Sequence, residues 1–133
     1  MSRSTSLFGI ALLTVAILAN WMPGFGDDKK ADTLLRHVVL FQFKPDVSQA
    51  QIDEVVKAFG DMKRTIDVIV DFEWGTDVSV ENRAAGFTHC FQVTFRDEKG
   101  RDVYLPHPVH EEFKKLVGGK LANVLVFDYV VKK

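Results

Sequence analysis

A chain of 133 residues, 47% apolar and 26% charged, has the composition of one globular domain. Its formal net charge of −1 argues against a nucleic-acid or anionic-membrane partner. Cys90 is the single cysteine, which excludes an internal disulfide and a cysteine-built structural zinc site.

The chain opens with Arg3 and then an uncharged apolar run from Leu7 to Trp21, the pattern of an export leader. Residues 1–26 are expected to be a signal peptide cleaved before Asp27, with Ala19 a competing site. The alternative is an N-terminal anchor, since residues 4–26 approach the length of a bilayer span. Either way the expected location is periplasmic or extracellular, and a membrane partner arises only if the leader stays attached. Residues 27–33 read as a solvated linker, and residues 34–133 as the folded domain.

Leu34 to Lys44 is apolar on both faces, with His37, Val39, Phe41 and Phe43 on one and Val38 and Leu40 on the other. That pattern predicts a strand covered on both sides. Ser48 and Gln51 have capping-box spacing, and Ile52, Val55, Val56, Phe59 and Met62 recur at helical spacing, so 48–64 is an amphipathic helix. A second strand is expected over 66–77, followed by a polar loop over 79–86. Phe87 to Arg96 alternates strictly, placing Phe87, His89, Phe91, Val93 and Phe95 on one face of a third strand.

A short helix over 99–105 leads into Leu105-Pro106-His107-Pro108-Val109-His110. Pro108 suits the first turn of a further helix, Glu111 and Glu112 favour its positive end, and Gly118-Gly119 stops it. His107 is placed to cap that helix, and His110 to sit in its first turn. Leu121 to Val131 is the last strand, and its two faces, Leu121, Leu125, Phe127 and Tyr129 against Val124, Val126 and Val130, are both apolar.

The order β-α-β-β-α-β is the split βαβ arrangement of an α+β, ferredoxin-like unit, a four-stranded antiparallel sheet with helices on one face. The other face would carry Val38, Leu40 and one set from the last strand. An apolar face of that size predicts a homodimer, two sheets packed into an α/β barrel.

Arg36-His37-Val38-Val39-Leu40-Phe41, Trp74-Gly75-Thr76-Asp77, Gly86-Phe87-Thr88-His89, Tyr104 with His107-Pro108-Val109-His110, and Phe127-Asp128-Tyr129 occur here in order. In that ordered set the chain resembles the stress-responsive dimeric α/β-barrel (Dabb) family over about residues 35–132. A plant member of the family carries out an aldol-type cyclisation of a linear polyketide with neither metal nor organic cofactor. The resemblance implies His110 as general base, Asp128 as the carboxylate that orients it, and Tyr104 as the hydroxyl that holds a substrate carbonyl. It also implies His37 and His89 as ligand-binding histidines beside the pocket, and His107 belongs to the same segment. Such chemistry needs a near-neutral base and a donor for the enolate oxygen.

Plainer readings stand beside these. His37 and His89 share faces with Phe and Val and could be satisfied core residues. His107 could act as a cap alone, Cys90 as an inert thiol, and Tyr104 as a packing residue with its hydroxyl at the surface. His107 and His110 have the spacing of a metal pair but lack an assured third ligand, so no metal is expected. The expected function is binding of a small, partly apolar molecule, with cofactor-free acid–base chemistry as its enzymatic form. The alternatives are a non-catalytic stress protein whose stable dimer is its function, and a haem- or oxygen-using relative from the wider group of dimeric barrels.

Overall fold

The structure, a computed structural model, describes residues 33–132, so the expected leader and most of the linker lie outside the described residues. The element order is β1 (Leu35–Phe43), α1 (Gln49–Thr65), β2 (Asp71–Thr76), β3 (His89–Phe95), α2 (Glu98–Tyr104), α3 (Pro108–Val117) and β4 (Leu121–Val130). The strands form one antiparallel sheet in the order β2-β3-β1-β4. This is the ferredoxin-like α+β arrangement, with the second helical crossover broken into α2 and α3.

The capping box is present at the start of α1. The Ser48 side chain accepts from Gln51 N–H while the Gln51 side chain accepts from Ser48 N–H. Val55, Phe59 and Met62 then turn one face of the helix into the core. There Phe59 stacks on Phe91 of β3 at 4.7 Å and packs on Phe113 of α3 at 4.6 Å. Phe91 also meets Phe41 of β1 at 5.1 Å. Burying each such ring stabilises the fold by about 1.5–3 kcal/mol, and this cluster clamps the helices onto β1 and β3.

Two expectations need correction. β2 begins at Asp71 rather than near Ile66. Ile66 and Ile69 are buried, but in a turn closed by Ile69 N–H to the Ile66 carbonyl, so their apolarity reflects a connector that plugs the core. In β4, Leu121 does not share a face with Leu125. The β1–β4 register shifts between Gln42 and Phe43, which sets Leu121 opposite Phe43 on the helix side. Leu125, Phe127 and Tyr129 oppose Leu40, Val38 and Arg36 on the bare face, while Val124, Val126 and Asp128 oppose Phe41, Val39 and His37 under the helices.

The approach to β3 is a loop with Asn82, Ala85 and Gly86 at positive φ. Gly86 is required there, since at its φ of 86° a Cβ would lie 2.5 Å from the Gln42 side-chain nitrogen. Strand β3 therefore begins at His89, two residues later than the alternation suggests.

Candidate active site

Between α2, α3 and the β1–β4 half of the sheet lies a cavity of about 340 Å³. Its floor is His37, Val39 and Phe41 of β1 with Val124 and Val126 of β4, and its roof is Tyr104, His110, Phe113 and Val117. The walls are mostly hydrocarbon. Val124 and Val126 remain about half exposed, so the cavity opens at β4.

The polar groups come from the punctuation between the helices. Tyr104 ends α2, the following turn carries Pro106, and Pro108 restarts the chain as α3, which brings His110 into the first turn above Tyr104. The two rings lie 4.2 Å apart between centroids, and His37 meets Tyr104 edge-on at 5.7 Å. All three residues are buried, with exposures of 5% for His37, 0% for Tyr104 and 9% for His110.

Each imidazole has one nitrogen fixed. His110 Nδ1 lies 2.9 Å from the Leu105 carbonyl, which can only accept, so Nδ1 carries the proton and Nε2 the lone pair. His37 Nδ1 lies 2.7 Å from Asp128 Oδ1, and the carboxylate likewise fixes the Nδ1–H tautomer. Neither Nε2 bonds to a described group. Among the described residues, the Tyr104 hydroxyl is the one buried side-chain polar atom without a hydrogen-bond partner. A buried group of this kind calls for an explanation, and a ligand oxygen is one.

Asp128 is thus the partner of His37, not of His110. The strand register makes His37 and Asp128 direct neighbours, and the Leu105 carbonyl takes the orienting role at His110. The other Asp128 oxygen accepts from Arg101 Nη1 at 3.1 Å. No motif contains Arg101. The signal that could have found it is its helical spacing, three residues before Tyr104 on α2. Lys114, one turn after His110, stands at the cavity and pairs with Glu111 at 2.6 Å.

The remaining histidines are not brought to this cavity. His89 shares the helix-side face of β3 but lies at its far end, edge-on to Phe43 at 5.2 Å and parallel to Trp74 at 6.3 Å. Its Nδ1 meets Thr88 Oγ1 at 2.8 Å. His107 is the N-cap of α3, its Nδ1 accepting from Val109 N–H at 3.2 Å. Cys90 is half-buried, and burial pushes its thiol above the ordinary range. Among the described residues, no group of three or more His, Cys, Asp or Glu is placed to hold a metal ion.

Burial holds His110 below the ordinary histidine range. Nearby Lys114 and His37 push the same way, while the Leu105 carbonyl and Glu111 oppose them. Burial also raises the Tyr104 phenol, which keeps its proton as a donor. The site at neutral pH is therefore a neutral imidazole at His110 beside a neutral phenol.

The family model for the stress responsive A/B barrel domain matches residues 35–131. The chain belongs to this family. The stress-response A/B barrel domain-containing protein HS1 of Arabidopsis thaliana is 40% identical over 95 residues, covering 71% of this chain and 87% of HS1. Olivetolic acid cyclase of Cannabis sativa is 30% identical over 99 residues, covering 74% of this chain and 98% of the cyclase. Among solved structures, hydroxynitrile lyase from Passiflora edulis superposes with a TM-score of 0.73 at 29% identity, covering 77% of this chain and 96% of the lyase. A dimeric ferredoxin-like protein from Thermobifida fusca shares the fold at 20% identity and a TM-score of 0.65, covering 76% of this chain and 93% of its own.

The lowered affinity of His110 for protons has a consequence for stability. Near the ordinary value of 6.5 the unfolded chain takes up a proton at this position that the folded chain refuses. Stability from His110 is therefore present at neutral pH and lost as pH falls below that value. Urea midpoints measured from about pH 7.5 down to about pH 5.5 should fall, and His110→Gln should flatten the decline. An unchanged slope in the variant would show that His110 is not held neutral by burial.

Proposed function

We propose that this Dabb protein binds a small, partly apolar molecule in the cavity beneath α2 and α3 and moves a proton on it without a cofactor. The observation that carries this reading is the buried, unpartnered Tyr104 hydroxyl lying beside two imidazoles whose Nδ1 atoms are engaged and whose Nε2 atoms are free. Val39, Phe41, Phe113, Val117 and Val126 would take the hydrocarbon part of the molecule. The Tyr104 hydroxyl would donate to a carbonyl oxygen. His110 Nε2 would then take a proton from the adjacent carbon, and the charge moving onto the oxygen would be met by the phenol.

The tautomer lock at Leu105 serves this step, because it presents a lone pair rather than an N–H to the substrate carbon. Relatives named as a cyclase and as a hydroxynitrile lyase support the presence of acid–base chemistry on this fold. His89 and His107 have no part in the step, since one is held among aromatic rings and the other caps α3.

A direct test is exchange of the α-hydrogens of 1-phenyl-2-propanone, an apolar ketone, for deuterium in heavy water. The wild-type chain should accelerate exchange. His110→Ala should lower the rate about 100-fold or more, and Tyr104→Phe should lower it while leaving His110 able to titrate. No acceleration by the wild type, or equal rates in all three proteins, would overturn the acid–base reading.

We further propose that a second copy covers the bare face of the sheet. There Phe127 is 60% exposed beside Leu125, Tyr129, Val38 and Leu40, an apolar area that a monomer would leave in water. Relatives described as dimeric support this. Light scattering should report a dimer for the wild type and a monomer for Phe127→Lys; a wild-type monomer would contradict it.

A further inference from the structure

Arg101, Asp128 and His37 form a chain of charge that runs from the protein surface to the cavity. Arg101 Nη1 donates to Asp128 Oδ2 at 3.1 Å, and Asp128 Oδ1 accepts from His37 Nδ1 at 2.7 Å. The Arg101 and Asp128 side chains are partly exposed, at 25% and 27%, and that of His37 is buried, at 7%. Three elements supply it: α2 holds the guanidinium, β4 the carboxylate and β1 the imidazole.

A carboxylate with one oxygen on an imidazole N–H fixes which ring nitrogen carries the proton only while it is held in place. The guanidinium on the other oxygen holds it, through a charge-assisted hydrogen bond of defined geometry. The remaining groups facing this cluster are Tyr104 of α2, which keeps its proton, and His110 of α3, which burial keeps neutral. Asp102 also contacts Arg101, at 3.1 Å, but on the exposed side. Lys114 and Glu111 lie beyond His110 and pair with each other.

We propose that Arg101 is a positioning residue: it holds the Asp128 carboxylate on His37 Nδ1, so that the ring keeps one tautomer and one orientation, with its Nε2 opposite His110. The value of that orientation to function rests on the acid–base reading above.

The test reads the chain itself and needs no ligand. Imidazole nitrogen signals of the full chain are followed by NMR at one mildly alkaline pH, with His37→Gln assigning the resonances. The wild type should show His37 as a single Nδ1–H tautomer. Arg101→Met and Asp128→Asn should each mix the two tautomers, and Arg101→Lys should return the wild-type pattern. Arg101→Met keeping the single tautomer would overturn the proposal. Should Asp128→Asn fail to fold, the Arg101 pair at the partly exposed end of the chain still decides the matter. A protein with the predicted tautomer pattern but no α-hydrogen exchange would overturn the acid–base reading and leave the role of Arg101 standing.

Discussion

Alternation along β1 governs the molecule. This strand is paired on both sides, with β3 and with β4, and it has no freedom to slip without breaking two ladders. Because successive side chains point to opposite faces, a shift of one residue would exchange His37, Val39 and Phe41 for Val38 and Leu40. The first set meets Phe59, Phe91 and Tyr104 under the helices; the second lies on the bare face with Leu125 and Phe127. The same register delivers Asp128 to His37. A carboxylate on an otherwise apolar strand is costly without a partner, and the pairing supplies one from the next strand.

The helical layer adds what a strand cannot. Two prolines break the second crossover after Tyr104 and restart it before His110, so that both residues face the same cavity from different helices. The break also frees the Leu105 carbonyl to accept from His110 Nδ1. The aromatic contacts of Phe59 hold α1 and α3 on the sheet at the closed end, and β4, exposed on both faces, leaves the other end open. The site is therefore rigid where its imidazoles are oriented and accessible where a ligand would enter. This combination suits a fold whose relatives include enzymes of different names.

Much of this was legible in the residues. The period of two in Phe87 to Arg96 and the helical spacing of Val55, Phe59 and Met62 reflect burial on one face, which is a local property. The limits of β2 were not, because Ile66 and Ile69 are buried by a turn, and apolarity does not distinguish a plugged connector from a strand. Strict alternation groups Leu121 with Leu125, and the register shift that separates them is a property of the pair of strands. Among the site residues, alternation correctly set His37 and His89 on the helix side but carried no information on position along the sheet, and the two lie at separate places. His107 shows both faces of its motif: the segment that carries His110 into the cavity uses His107 as a cap. The partner of Asp128 and the presence of Arg101 depend on which strand lies beside β1 and where α2 ends, and only the assembled sheet supplies that.

The central claim is that the fold leaves the Tyr104 hydroxyl unpaired for something that binds. Denaturant unfolding of Tyr104→Phe beside the wild type tests it most directly. An unpaired buried hydroxyl contributes nothing to folding, so the variant should be as stable as the wild type, or more stable by about 1–3 kcal/mol. A loss of stability of that size would mean that the hydroxyl is bonded within the fold, and would contradict the account.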